Sequence, residues 1–98
     1  VVTLGPEGSY FRCADGAGPV PAFAVETVDA TGCGDAFVAG LLTGLLARVG
    51  WREQLAPARL GQVLRRANAV GALTAQKQGV IPALPTAAQV EAFLAQRA

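Results

Sequence analysis

Apolar residues fall along this chain in two rhythms, an extended one first and a helical one after it. Val1-Val2-Thr3-Leu4 is a near-continuous β-branched run, the pattern of a buried parallel strand with neighbours on both sides. After the turn Gly5-Pro6-Glu7-Gly8, the span Ser9 to Cys13 carries Tyr10, Phe11 and Cys13 and predicts a second strand. A further turn from Ala14 to Pro19 leads into an extended stretch, Ala22 to Val28, where Phe23 and Val25 alternate with Ala24 and Glu26. Together these predict an antiparallel hairpin or meander following a buried strand.

The helical rhythm begins beyond Asp35. Phe37, Val38, Leu41, Leu42, Leu45, Leu46 and Val49 fall on one wide face, and Gly50 ends the helix. Gly40 and Gly44 lie four apart on it. Each costs about 1 kcal/mol against alanine, so the expected return is close approach to a neighbouring backbone. Trp51 to Pro57 reads as a linker. A second helix is predicted from about Ala58 to Gln76, with Leu60, Val63, Leu64, Ala67, Val70 and Leu73 on its apolar face and Asn68 at the border. The prolines of Gln78 to Pro85 exclude a helix there. Thr86 and Gln89 then form a capping box for a short last helix carrying Val90, Phe93 and Leu94.

Composition changes this picture in one respect. Of 98 residues, 52% are apolar and 15% charged, against a usual charged share of about 25%. So apolar a chain is expected to join a core with more layers than it builds itself. With no Met, it is expected to be the C-terminal piece of a larger α/β protein. Net charge is +1 and the eight basic residues are scattered, so nothing points to nucleic acid. The longest apolar run, Ala36 to Ala47, is too short to span a membrane. Cys13 and Cys33 lack metal-ligand spacing and make no disulfide framework, and the absence of His excludes a Cys–His pair within the chain. A reducing cytoplasm fits this usage.

Candidate chemistry gathers at Val28-Asp29-Ala30-Thr31-Gly32-Cys33-Gly34-Asp35, extended chain running through a glycine turn into the first helix. Gly32 and Gly34 allow positive φ on either side of Cys33. Unpaired N–H groups and the positive end of the helix dipole together suit a phosphate. Asp35 is the only carboxylate in the first helical turn. An acid beside a phosphate is unfavourable unless it takes a proton from a nucleophile attacking that phosphate. The same residues also fit a plain strand–turn–helix joint capped by Thr31 or Asp35, and on spacing alone the two readings stand level. No Gly-Lys-Ser/Thr follows, which excludes a P-loop, and the third glycine of a dinucleotide fingerprint would fall at Phe37. Capping needs one residue, whereas Asp29, Thr31, two glycines and Asp35 fall within seven positions. That excess favours chemistry. Cys33, at the helix start, has two readings: a thiol pKa depressed by the free N–H groups, or an inert small residue, which the opposing charge of Asp35 favours.

Asp29 to Asp35 resembles the anion-hole signature of the ribokinase-like carbohydrate kinases, the family that includes fructokinase, ribokinase and ketodeoxygluconate kinase. Thr3-Leu4-Gly5-Pro6-Glu7-Gly8 resembles that family's nucleotide-loop segment. Ala67 to Leu73, then Gly79 to Thr86, resembles its C-terminal end, and the segments come in the family's order. The resemblance implies the C-terminal part of a Rossmann-like, three-layer α/β/α fold. Residues 1–98 would be the C-terminal portion of a single kinase domain, without its N-terminal part and lid.

The resemblance further implies roles. Asp35 matches the base that deprotonates the bound sugar hydroxyl, and the Gly32, Cys33 and Gly34 N–H groups match those that stabilise charge on the transferred phosphoryl. Thr3, Gly5, Gly8, Gly34 and Asn68 fall where the family lines its ATP site. Asp29, Thr31, Thr74, Lys77 and Gly79 occupy the ligand positions of a potassium ion, mostly through carbonyl oxygens. A further position, often serine, is Ala83 here, which counts against tight ion binding. ATP with Mg2+ is the implied cofactor, a sugar the substrate, a homodimer the assembly and the cytoplasm the setting. Gly71 to Thr74 and the ending Gly79 to Thr86 look closest to fructokinases, while sugar choice lies mainly in the family's N-terminal half and lid. The implied function is ATP-dependent phosphorylation of a sugar hydroxyl. Transfer needs positioning from both halves, so the fragment alone is expected not to turn over. The alternative is a non-catalytic nucleotide-binding or assembly remnant of the same fold, against which a retained Asp35 argues.

Overall fold

The computed structural model describes residues 1–47, 50–79, 81 and 83–97. Three short strands come first: β1 (Val2–Thr3), β2 (Ser9–Cys13) and β3 (Gly16–Val20). They form an antiparallel sheet in the order β1-β2-β3, with Val2 opposite Tyr10 and Phe11 opposite Gly18. The meander is as expected, and among the described residues its first strand pairs with β2 alone. β1 is an antiparallel edge, and Val1 and Val2 are 55% and 58% exposed. A β-branched run reads alike for an edge and a buried strand, because it reports strand propensity and not neighbours. The predicted turn from Ala14 to Pro19 is likewise shorter. Only Ala14 and Asp15 turn, and Gly16 to Val20 pairs with β2. Pro19 is tolerated because β3 is an edge strand that can do without one N–H.

Residues 22–28 run outside the sheet, although Phe23 and Val25 are half-buried and Ala24 and Glu26 exposed, in the predicted alternation. Helix α1 (Cys33–Leu46) follows, then a 3-10 turn from Trp51 to Leu55 in place of the linker, then α2 (Pro57–Ala75) with proline in its first turn. Helix α3 (Ala87–Ala95) starts at the predicted capping box. The Gln89 N–H donates to Thr86 Oγ1 at 3.2 Å, and the Thr86 N–H donates to Gln89 Oε1 at 2.8 Å.

Helix α2 is the central element, touching α1, α3 and the sheet. One core joins Phe11 and Val20 of the sheet to Phe37 of α1 and Leu60, Leu64 and Ala67 of α2. A second core sets Ala69 against Val90 and Phe93 of α3, with Phe23 and Val25 packed on it. Gly40 makes the predicted close approach to a backbone, whereas Gly44 packs against the Val63 side chain. A Cβ on Gly40 would stand 3.1 Å from Ala67 Cα, and one on Gly44 would stand 2.7 Å from Val63 Cγ1.

The apolar face of α1 is wider than its partner. Phe37 is buried and Leu41 and Leu45 half-buried, but Val38, Leu42 and Leu46 are exposed, since α2 covers only the stripe centred on Gly40 and Gly44. Val49, assigned to that face from the sequence, lies outside the described residues, as do Val80 and Pro82. Among the described residues no helix is long and apolar enough to cross a membrane.

Candidate active site

The loop before α1 is anchored to the end of α2. The N–H groups of Val28 and Asp29 both donate to the Ala75 carbonyl, at 2.8 and 3.1 Å. Asp29 then spends its carboxylate on backbone. Oδ1 accepts from the Thr31 N–H at 2.9 Å and Oδ2 from the Gly79 N–H at 3.1 Å. The Thr31 N–H, then its hydroxyl, then the Gly79 N–H hold the Asp29 carboxyl below its ordinary pKa, against a smaller effect of burial.

Gly32 caps α1 in the left-handed region, at φ 82° and ψ −1°, and its carbonyl accepts the first helical bond, from Ala36 at 2.9 Å. Gly34 does not share that conformation. Its φ is negative, so the expectation of positive φ on both sides of Cys33 holds for Gly32 alone. The Cys33 N–H donates to the Ala30 carbonyl at 3.2 Å, while those of Gly34 and Asp35 have no partner among the described residues. A Cβ built on Gly34 would meet nothing within 4 Å. The unpaired N–H groups at this helix start therefore border open space.

Of the two readings of Cys33, the depressed thiol is the one the structure does not support. The Cys33 Sγ donates to the Asp29 carbonyl at 3.8 Å, and burial, followed by the Asp29 charge, raises its thiol pKa. Desolvation of the thiolate outweighs the helix dipole here. The opposing carboxylate is Asp29 and not Asp35, whose side chain is exposed at the head of α1.

Beside this helix start lies a cavity of about 490 Å³. Thr3, Gly5, Gly8, Gly34 and Asn68, the five residues singled out for nucleotide, all line it, together with Cys33. Their positions have separate physical reasons. Gly8, at φ 103°, brings the loop against the end of β3, where a Cβ would stand 2.2 Å from the Val20 carbonyl oxygen. Gly5, at φ 58°, turns in open space. Asn68 is buried, and its Nδ2 donates to the carbonyls of Val20 and Pro21, each at 3.1 Å, fixing the chain that leaves the sheet.

Other walls were missed by sequence reasoning. Phe23 and Val25 line the cavity instead of joining the sheet, and Gly71, Ala72 and Ala75 line it from α2. One signal was present: Asn68, Gly71, Ala72 and Ala75 make a stripe of small residues and one amide at helical spacing, which leaves room for a ligand.

The positions assigned to potassium divide. Asp29, Thr31 and Gly79 are joined directly by the Asp29 carboxylate. The Thr74 hydroxyl is buried and donates to the Val70 carbonyl at 2.8 Å, and the Thr74 carbonyl accepts from the Lys77 N–H at 3.4 Å. The carbonyl oxygens of Thr31, Lys77 and Gly79 have no protein donor among the described residues. That donor set suits a hard monovalent ion held by carbonyls. Ala83 is buried and adds no side-chain oxygen. Among the described residues no three His, Cys, Asp or Glu groups stand together as a metal site.

Residues 1–87 match the family described as pfkB family carbohydrate kinase. Fructokinase-2 of Solanum lycopersicum is 45% identical over 94 residues, covering 96% of this chain and 28% of that protein. The chain spans less than half of the length of the curated relatives it matches, 28% of several and 44% at the highest among them. Among solved structures, a fructokinase with bound ATP from Xylella fastidiosa superposes with a TM-score of 0.89 at 28% identity, covering 97% of this chain and 31% of that one. A fructokinase from Vibrio cholerae O395, bound to fructose, ADP and potassium, gives 0.83 at 37% identity, covering 94% and 29%. The fold is accordingly α/β and ribokinase-like. This chain belongs to the pfkB family of carbohydrate kinases.

Proposed function

We propose that this chain carries the nucleotide-binding and phosphoryl-transfer part of an ATP-dependent sugar kinase of fructokinase type, the C-terminal portion of its single domain. One observation carries the reading. A single cavity gathers Thr3, Gly5, Gly8, Gly34 and Asn68 against the unpaired N–H groups at the start of α1. The Gly34 and Asp35 N–H groups, with that of Gly32, receive the negative charge that develops on the transferred phosphoryl, and the Cys33 N–H joins them only by giving up its bond to Ala30. Asp35, exposed at the same turn and free of any protein hydrogen bond among the described residues, takes the proton from the attacking sugar hydroxyl. A carboxylate at this point would weaken a site that only bound phosphate, which favours catalysis over a non-catalytic remnant.

Potassium suits the carbonyls of Thr31, Lys77 and Gly79, braced by Asp29 through the Gly79 N–H and by the Thr74 carbonyl through the Lys77 N–H. Its charge would favour the anion in the neighbouring hole. With no acidic cluster among the described residues, Mg2+ would enter on the phosphates of the nucleotide. The homodimer and the cytoplasmic setting rest on the family alone. The test is transfer of labelled γ-phosphate from ATP to a panel of sugars by the protein carrying this chain. Fructose is expected to be phosphorylated. Absence of transfer to every sugar would contradict the proposal, while transfer to another sugar alone would correct only the substrate.

A further inference from the structure

A second cavity, of about 420 Å³, opens between the end of α2 and α3. It shares no lining residue with the cavity at the start of α1, and it has the size of a small-ligand site. Leu73 and Phe93 give it apolar walls. Gln76 and Lys77 line it just past α2, Gln89 from α3, and Gln96 and Arg97 just past α3. Its polar side chains are thus three amides and two cations, with no acid among them.

Neither cation is neutralised from within. Lys77 is the chain's one lysine, and neither it nor Arg97 pairs with a carboxylate among the described residues. Glu91, the acid of α3, pairs instead with Arg66. Arg97 is held in place without an acid. Its guanidinium covers the Phe93 ring at 3.7 Å from the centroid, and its Nη1 donates to the Phe93 carbonyl at 3.3 Å. The Arg97 carbonyl accepts from Arg65 Nη2 at 2.9 Å, which ties the end of α3 to α2. Both helices end at this cavity, and each C-terminus carries about half a negative charge. Part of that is already paired, since the Thr74 carbonyl accepts from the Lys77 N–H and the Ala75 carbonyl from those of Val28 and Asp29. The two full positive charges therefore exceed the helix ends by about one charge or more. The cavity is net positive.

We infer that this second cavity binds a small organic dianion, separately from the nucleotide. The negative oxygens of that ligand, whether of phosphate or carboxylate, pair with Lys77 and Arg97, and its carbon skeleton packs on Leu73 and Phe93. Gln89, whose Oε1 is taken by the Thr86 N–H, has only its amide N–H groups left to offer, which again suits an anion. Exposed charges alone give little affinity. The fixed guanidinium and the apolar walls supply the orientation that scattered surface cations lack.

The test titrates succinate and glycerol 3-phosphate into the protein carrying this chain, by calorimetry at constant ionic strength. A non-hydrolysable ATP analogue is kept saturating, so that neither probe is read at the start of α1. At least one probe is expected to bind saturably, one per chain. Its Kd should rise about tenfold in Arg97→Gln and in Lys77→Gln, the worth of one hydrogen bond to a charged group. Tighter binding of succinate assigns the site to carboxylates, and tighter binding of glycerol 3-phosphate assigns it to phosphate esters. No saturable binding of either probe would overturn the inference. So would an affinity that neither substitution lowers. If Arg97→Gln does not fold, Lys77→Gln decides, because Lys77 is exposed. A wild-type protein that binds a probe but not the analogue would contradict the proposed function and leave this site standing.

Discussion

Asp29 Oδ2 accepts a hydrogen bond from the Gly79 N–H at 3.1 Å, joining two loops fifty residues apart. Its other oxygen holds Thr31, so one carboxylate sets the shape of the turn and ties it to the segment after α2. The folded state holds this carboxyl below its ordinary value of 3.8. The ionised form is thus favoured by folding. Its contribution is fully present above 3.8 and is lost as pH falls through the depressed folded value. Asp29→Asn should melt below wild type at neutral pH, and the gap should narrow as the solution is acidified past that point. A gap in melting temperature that stays constant from neutral to strongly acid pH would contradict this role.

Gly8 and Gly34 should respond oppositely to a methyl group. At Gly8 the new Cβ would lie 2.2 Å from a backbone oxygen, at a φ of 103° that side chains resist. Gly8→Ala should therefore cost about 3 kcal/mol or more in denaturant unfolding. Gly34 is helical with open space above it. Gly34→Ala should leave stability unchanged or raise it by up to about 1 kcal/mol, yet lower kcat/KM for ATP about tenfold by crowding the approach to the N–H groups. Destabilisation by Gly34→Ala with normal kinetics would assign that glycine to structure.

Close packing of α1 on α2 predicts a coupled pair. Gly44→Ala sets a Cβ 2.7 Å from Val63 Cγ1 and should cost about 1 to 3 kcal/mol. In the double variant Gly44→Ala, Val63→Ala, the space released by the valine should recover part of that loss. Strict additivity of the two single effects in chemical denaturation would show that the contact is not the cause.

Cys33 should be sluggish toward a small alkylating reagent at neutral pH, since burial and the Asp29 charge both raise its thiol pKa. Removing that charge with Asp29→Asn should speed the reaction, and Cys33→Ala should remain active because the proposed transfer uses no side-chain atom of residue 33. Rapid modification of the wild-type thiol at neutral pH would run against the raised pKa.

Legibility followed the range of the forces involved. Helix α2 and the Thr86–Gln89 box could be read from the sequence because their signals are local, a 3.6-residue period and a cap three residues from its partner. The setting of β1 could not, since Val1-Val2-Thr3 has the same propensity on an edge as in a buried sheet. Gly16 to Pro19 looked like turn because glycine and proline dominate it, and only the pairing with β2 makes it a strand. At the site, the crowding of Asp29, Thr31, Gly32, Gly34 and Asp35 was visible. The spending of the Cys33 N–H on Ala30 was not, because it depends on the left-handed φ at Gly32. Phe23 and Val25 alternated as expected, but alternation does not say which surface an unpaired segment faces.

The central claim, that Asp35 is the base beside a phosphate-binding helix start, is tested most directly by Asp35→Asn in the protein carrying this chain. The side chain is exposed and has no partner to lose among the described residues, so the fold should survive the change. Steady-state kcat and equilibrium binding of ATP are measured on the same preparation. The account predicts a fall in kcat of about 100-fold or more, with ATP affinity held within about threefold. A variant that binds ATP normally and keeps near-wild-type kcat would contradict it.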